Sequence, residues 1–123
     1  MKAPRTVIIE IPWIGPTLNK IWAGAHWTTR RKLSKYGHDI TCIYAKRVKP
    51  FTNPVHITFQ PIVTGKFFDA SNYALTAKII EDGLVLCGVL EGDSPEFVKS
   101  IRLMAPIKGS EKKTKVSICE EVG

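Results

Sequence analysis

Residues 55–104, VHITFQPIVTGKFFDASNYALTAKIIEDGLVLCGVLEGDSPEFVKSIRLM, read as strand, helix, strand, and that reading decides the fold. Val55 to Val63 alternates apolar and polar positions and stops at Thr64-Gly65, which suits a strand with a short return. From about Ser71 to Leu86 the spacing becomes helical. Leu75, Ile79 and Leu86 share one side, Ile80 and Leu84 another, and Gly88 supplies the left-handed residue that commonly closes a helix. Gly83 inside this helix costs about 1 kcal/mol relative to Ala, so its presence points to a close approach of backbone. Phe97 to Met104 alternates again and reads as a further strand.

Working outward, Thr6 to Ile11 is rich in β-branched residues and ends at Pro12, which cannot donate to a ladder. The segment PWIGPTLNKIWAGAHW, residues 12–27, holds two prolines among three tryptophans and predicts irregular structure. Thr28 or Thr29 suits a helix cap, with a helix from about Arg30. Its apolar positions Leu33, Tyr36, Ile40, Ile43 and Tyr44 fall three and four apart and predict a packing face. Arg31, Lys35, His38, Lys46 and Lys49 trace a positive stripe. Pro50 to Pro54 breaks the chain. Lys115 to Glu120 predicts a last strand, joined to Phe97–Met104 as a hairpin through KGSEKKT. The order β-α-β-α-β-β implies an α/β (α+β) fold: a single domain over residues 1–123, with one mixed sheet of about four strands and two helices packed on it.

A chain of 123 residues, 44% apolar, is large enough for one core and too small for two. Charge is unevenly spread. Residues 1–50 carry ten Lys/Arg against Glu10 and Asp39, for +8; residues 51–100 carry three against six acids, for −3; the remainder adds +2, for +7 in all. A basic half of this kind is the electrostatic footprint of a polyanion partner, because each neutralised phosphate releases condensed counterions. Cys42, Cys87 and Cys119 form no CxxC and lie at no zinc-ligand spacing from a His, so they read as buried thiols in a reducing compartment. No apolar run approaches about 18 residues and the N-terminus lacks a signal-peptide core, so a soluble intracellular protein without a membrane partner is expected.

The candidate chemistry lies in the acidic stretch. Residues 69–96 hold six of the eleven acids, Asp69 ahead of the second helix and Asp93 in the loop after it. If the two converge, their carboxylates suit a magnesium ion that keeps waters for phosphate exchange. Lys78 and Asp82, four apart, share a helix face. Each piece also has a structural reading: DASN is helix-capping chemistry and EGDSPE an ordinary surface turn.

These residues resemble the RusA-type Holliday junction resolvases, small dimeric nucleases found mostly in phages and prophages. The resemblance covers nearly the whole chain. IEIPWIGPTLNKIW with Asn19 matches the family's strand and proline-rich turn ahead of a basic helix. The family's D-x-D-N, helix Lys, Asp-x-Leu, Gly and late acidic pair correspond to DASN at 69–72, Lys78, Asp82-Gly83-Leu84, Gly88 and Gly92-Asp93. Ser71 stands where the family has its second Asp, and Gly92 where the first acid of the late pair usually appears.

The resemblance implies catalysis by Asp69, Asp93 and Lys78, with Asp69 and Asp93 holding Mg2+, for which Mn2+ can substitute. It implies DNA contacts from Arg30, Arg31, Lys35, Lys46 and Lys66, a homodimer acting on branched DNA, and a place in the cytoplasm of a bacterial host. Losing the carboxylate at Ser71 should weaken the metal site or move ligation to water, Glu91 or Asp82. Three functions therefore stand open. They are a magnesium-dependent endonuclease that resolves four-way junctions by paired nicks, a weakened relative that binds such junctions without cutting, and a small basic RNA-binding module, which lacks the expected RNP-like strand or GXXG loop. Trp13, Trp22 and Trp27 suit core or dimer packing better than base stacking, and His26 and His38 carry no assigned role.

Overall fold

The computed structural model describes residues 3–18 and 27–121, with backbone alone at 27–29. Asn19, Trp22 and His26 lie outside the described residues, as do the side chains of Trp27, Thr28 and Thr29. The elements are β1 (Thr6–Ile11), α1 (Trp27–Tyr44), β2 (Val55–Val63), a 3-10 turn (Ala70–Tyr73), α2 (Ala74–Leu86), β3 (Val98–Leu103), β4 (Ile107–Lys108) and β5 (Lys113–Glu120). Among the described residues the fold is mixed α+β, one five-stranded sheet with two α-helices, against the expected sheet of about four strands and two helices.

Strand order is β1-β5-β2-β3, with the two-residue β4 extending the ladder beside β2. β5 runs antiparallel to both β1 and β2, while β2 and β3 are parallel. The expected hairpin between the last two long strands is not formed. A parallel pair needs a crossover of a dozen residues or more, and the 3-10 turn with α2 supplies it between β2 and β3. β5 instead lies between β1 and β2, burying Thr114, Val116 and Ile118 on one face. β3 lies at the edge, where four of its six residues are exposed.

β2 alternates buried and half-buried residues along its whole length, with Val55, Ile57, Phe59 and Val63 inward. Val55, Ile57 and Phe59 meet Ile9 and Ile11 of β1, Val116 and Ile118 of β5, and Ala77, Ile80 and Leu84 of α2 in one core. Each large apolar side chain removed from water there contributes about 1.5–3 kcal/mol before entropy is counted. Trp13 belongs to this core, and its carbonyl accepts from Thr114 Oγ1 at 2.8 Å.

The helices meet through small residues. A methyl at Gly37 of α1 would collide with Ile79 and stand 2.7 Å from the Trp13 ring, and one at Gly83 of α2 would stand 2.9 Å from Thr41 Cβ. The close approach expected at Gly83 is therefore present. Thr41, fully buried, satisfies its hydroxyl by donating to the Gly37 carbonyl at 2.7 Å.

This contact corrects the expected helix face. Tyr36, Ile43 and Tyr44 are 55%, 67% and 49% exposed, because the surface against α2 is built on Gly37 and Thr41 instead. α1 is already helical at Trp27, so Thr28 and Thr29 lie within it and not at its cap. It ends at Tyr44, which leaves Lys46 and Lys49 beyond it. Gly88, at φ 81°, is the left-handed residue anticipated after α2. Among the described residues no helix is long and apolar enough to cross a membrane.

Candidate active site

The fifth residue of α2 gathers the charge. Lys78 Nζ lies 3.1 Å from Asp82 Oδ1 and 3.6 Å from Glu81 Oε1, its neighbours one turn along the helix, and 3.1 Å from Asp93 Oδ2 across the loop. Oxygens of Glu81, Asp82 and Asp93 come within 4.8 Å of one another. The route back from α2 explains the convergence. Cys87 caps the helix, Gly88 reverses the chain, and Val89 and Leu90 donate to the Leu84 carbonyl at 3.0 and 3.2 Å, folding the loop along the helix toward β3.

Three carboxylates share one ammonium, and their environments pull them apart. Glu81 is 8% exposed; burial pushes its carboxyl above the ordinary range, opposed by Lys78 and reinforced by Asp93 and Asp82. The hydrogen bond from Lys78, with its charge, holds the exposed Asp93 below the ordinary range. Lys78 is pushed upward by its hydrogen bonds to Asp93 and Asp82. The donor set fits a hard divalent cation, since carboxylate oxygens are its preferred ligands and the trio is undercompensated. Exposed acidic groups of this kind also occur without a metal.

The structure brings Lys78 to Asp93, where the sequence pointed to a convergence of Asp93 with Asp69, and adds Glu81, for which the sequence reading had no role, and Asp82, which shares the helix face of Lys78 and was a candidate replacement ligand. Lys78–Glu81 at i, i+3 is a signal the chain offers, but the burial of Glu81 is set by packing and has none. Asp69 is not part of the trio. It stands exposed and extended ahead of the 3-10 turn, its side chain making no capping bond, so the capping reading of DASN is not what its carboxylate does. Ser71 is exposed on that turn, and its carbonyl accepts from Ala74 N–H. Gly92 packs under Phe97: a Cβ there would lie 2.9 Å from Phe97 Cδ2, so an acid at 92 would displace the ring.

The basic candidates divide between two surfaces. Arg30, Arg31 and Lys35 line a shallow depression on α1 with Ser34, His38 and Leu86, and Lys35 is held by Asp39 at 2.8 Å. Lys46 is exposed in the turn beyond α1. Lys66 lies over the Phe68 ring at 5.7 Å, beside a cavity of about 760 Å³ walled by Trp13, Tyr73 and Lys112. No family model and no curated protein sequence matches this chain.

Proposed function

We propose that this protein is a Mg2+-dependent, structure-selective DNA endonuclease that resolves four-way junctions by paired nicks, acting as a homodimer. The observation that carries the reading is the carboxylate trio Glu81, Asp82 and Asp93 closed around Lys78, in a protein whose N-terminal half is strongly basic. The resemblance of its motifs to RusA-type resolvases supports the same assignment.

In this reading Asp93, Glu81 and Asp82 would hold the metal, and Asp69, exposed ahead of the turn that leads into α2, stands outside that set. A bound divalent ion supplies Lewis-acid polarisation of a phosphate and lowers the pKa of its water. Asp93, kept acidic, stays ionised and anchors the site. Glu81, the buried member of the trio, would complete the carboxylate set around the ion. Lys78 faces the scissile phosphate and offsets the negative charge that develops there. Arg30, Arg31, Lys35, Lys46 and Lys66 contact backbone phosphates, so recognition follows the shape of the junction and not its base sequence.

A second reading, a relative that binds branched DNA without cutting it, rests on Ser71 and Gly92, where the family motif carries acids. The pair is separated by assaying Ser71→Asp beside the parent. Cutting by the parent supports the nuclease, and cutting by Ser71→Asp alone supports the disarmed site. Tight binding without cutting in both contradicts the idea that Ser71 is what disarms it.

A further inference from the structure

Away from the acidic trio, α1 and α2 bring the Cys42 thiol and the Cys87 backbone to one carbonyl, that of Gly83. The helices meet in parallel register, with Gly37 against Ile79 and, four residues further along each, Thr41 against Gly83. One more turn puts the end of α1 level with Cys87. There Cys42 Sγ lies 3.5 Å from the Gly83 carbonyl, and that carbonyl also accepts Cys87 N–H at 2.9 Å. Cys87 Sγ sits 3.7 Å from the carbonyl of Leu84, the residue after Gly83. Both are free and half-buried. The missing side chain at Gly83 is what lets the two helices, and with them Cys42 and Cys87, come this close.

We propose that Cys42 and Cys87 are a redox modification site, forming a reversible disulfide between α1 and α2 by exchange with a small-molecule disulfide such as oxidised glutathione. The exchange has two steps. Cys87, at the open end of α2, attacks as thiolate on one glutathione sulfur, forming a mixed disulfide and releasing one glutathione thiolate, which takes up a proton. Cys42 then gives up its proton and attacks the Cys87 sulfur, which closes the protein disulfide and expels the second glutathione. Two protein thiols are oxidised and one glutathione disulfide is reduced to two thiols. Burial first, then its interaction with Cys87, pushes the Cys42 thiol up to about 11, so the first attack falls to Cys87 and Cys42 reacts only once the mixed disulfide stands beside it. The cross-link would tie the helix that carries Arg30, Arg31 and Lys35 to the helix that carries Lys78.

The test is to incubate the reduced full chain with oxidised glutathione, then count thiols and map peptides by mass spectrometry. Two of the three thiols should be lost per chain, with a Cys42–Cys87 peptide that dithiothreitol reverses. Cys42→Ser should stop at one glutathione on Cys87, and Cys119→Ser should leave the cross-link unchanged. Three unreacted thiols, stable glutathione adducts without that peptide, or linkage through Cys119 would each overturn the proposal.

Discussion

Lys78 Nζ stands 3.1 Å from Asp93 Oδ2, an ion pair that fastens α2 to the loop entering β3. Asp93 is held below the ordinary carboxylate range, so its folded-state pKa lies below its unfolded one. Its contribution to stability is therefore complete above the unfolded value, near 3.9, and disappears as pH falls through the depressed folded value. Carboxyl NMR should place the Asp93 midpoint below about 3.9, and Asp93→Asn should flatten the acid limb of stability against pH. A midpoint at or above the ordinary value would contradict the pairing.

Lys78 supplies the one positive charge among three acids, and Glu81 depends on it. Lys78→Met should push the Glu81 carboxyl further upward, because the lysine is what opposes its burial. The same change removes a resident cation, so Mg2+ measured by calorimetry should bind more tightly. Junction cutting should fall by roughly 100-fold or more, the scale of losing one group that stabilises developing charge. Tighter metal with undiminished cutting would remove Lys78 from the chemistry.

Gly83 lies where a methyl would meet Thr41 Cβ at 2.9 Å. Overpacking costs about 1–3 kcal/mol and alanine returns up to about 1 in helix propensity, so Gly83→Ala should destabilise by about 1–2 kcal/mol in urea unfolding. Gly65→Ala, with open space around it, should unfold within about 0.5 kcal/mol of the parent. Equal stability of the two variants would contradict the close helix contact.

The two positions that depart from the resolvase motif should behave differently when acids are restored. Ser71 is exposed, so Ser71→Asp should fold as the parent does. Gly92→Asp must displace the Phe97 ring and should cost about 1–3 kcal/mol. The comparison is a thermal melt of both variants, and a Gly92→Asp as stable as Ser71→Asp would show that the ring yields freely.

The strands were legible because a buried sheet face repeats every second residue: Thr6–Ile11 and Val55–Val63 lie where their alternation puts them. Pairing was not. Placing Lys113–Glu120 between β1 and β2 depends on contacts more than 50 residues away in the chain, and the proximity of two strands in sequence suggested a hairpin instead. The face of α1 was misread for a related reason. Gly37 and Thr41 carry little hydrophobic signal, yet small size is what the contact with α2 selects. At the site, Lys78, Asp82 and Asp93 could be read from motif and spacing. Glu81 could not, since its role follows from burial.

The most direct measurement is cleavage of a labelled synthetic four-way junction by the parent protein in Mg2+, in Mn2+ and in EDTA, beside Asp93→Asn and Lys78→Met. The nuclease reading predicts paired, symmetric nicks in either metal, none in EDTA, and strong loss in both variants. Intact junctions under every metal condition, or nicks that survive Asp93→Asn, would contradict it.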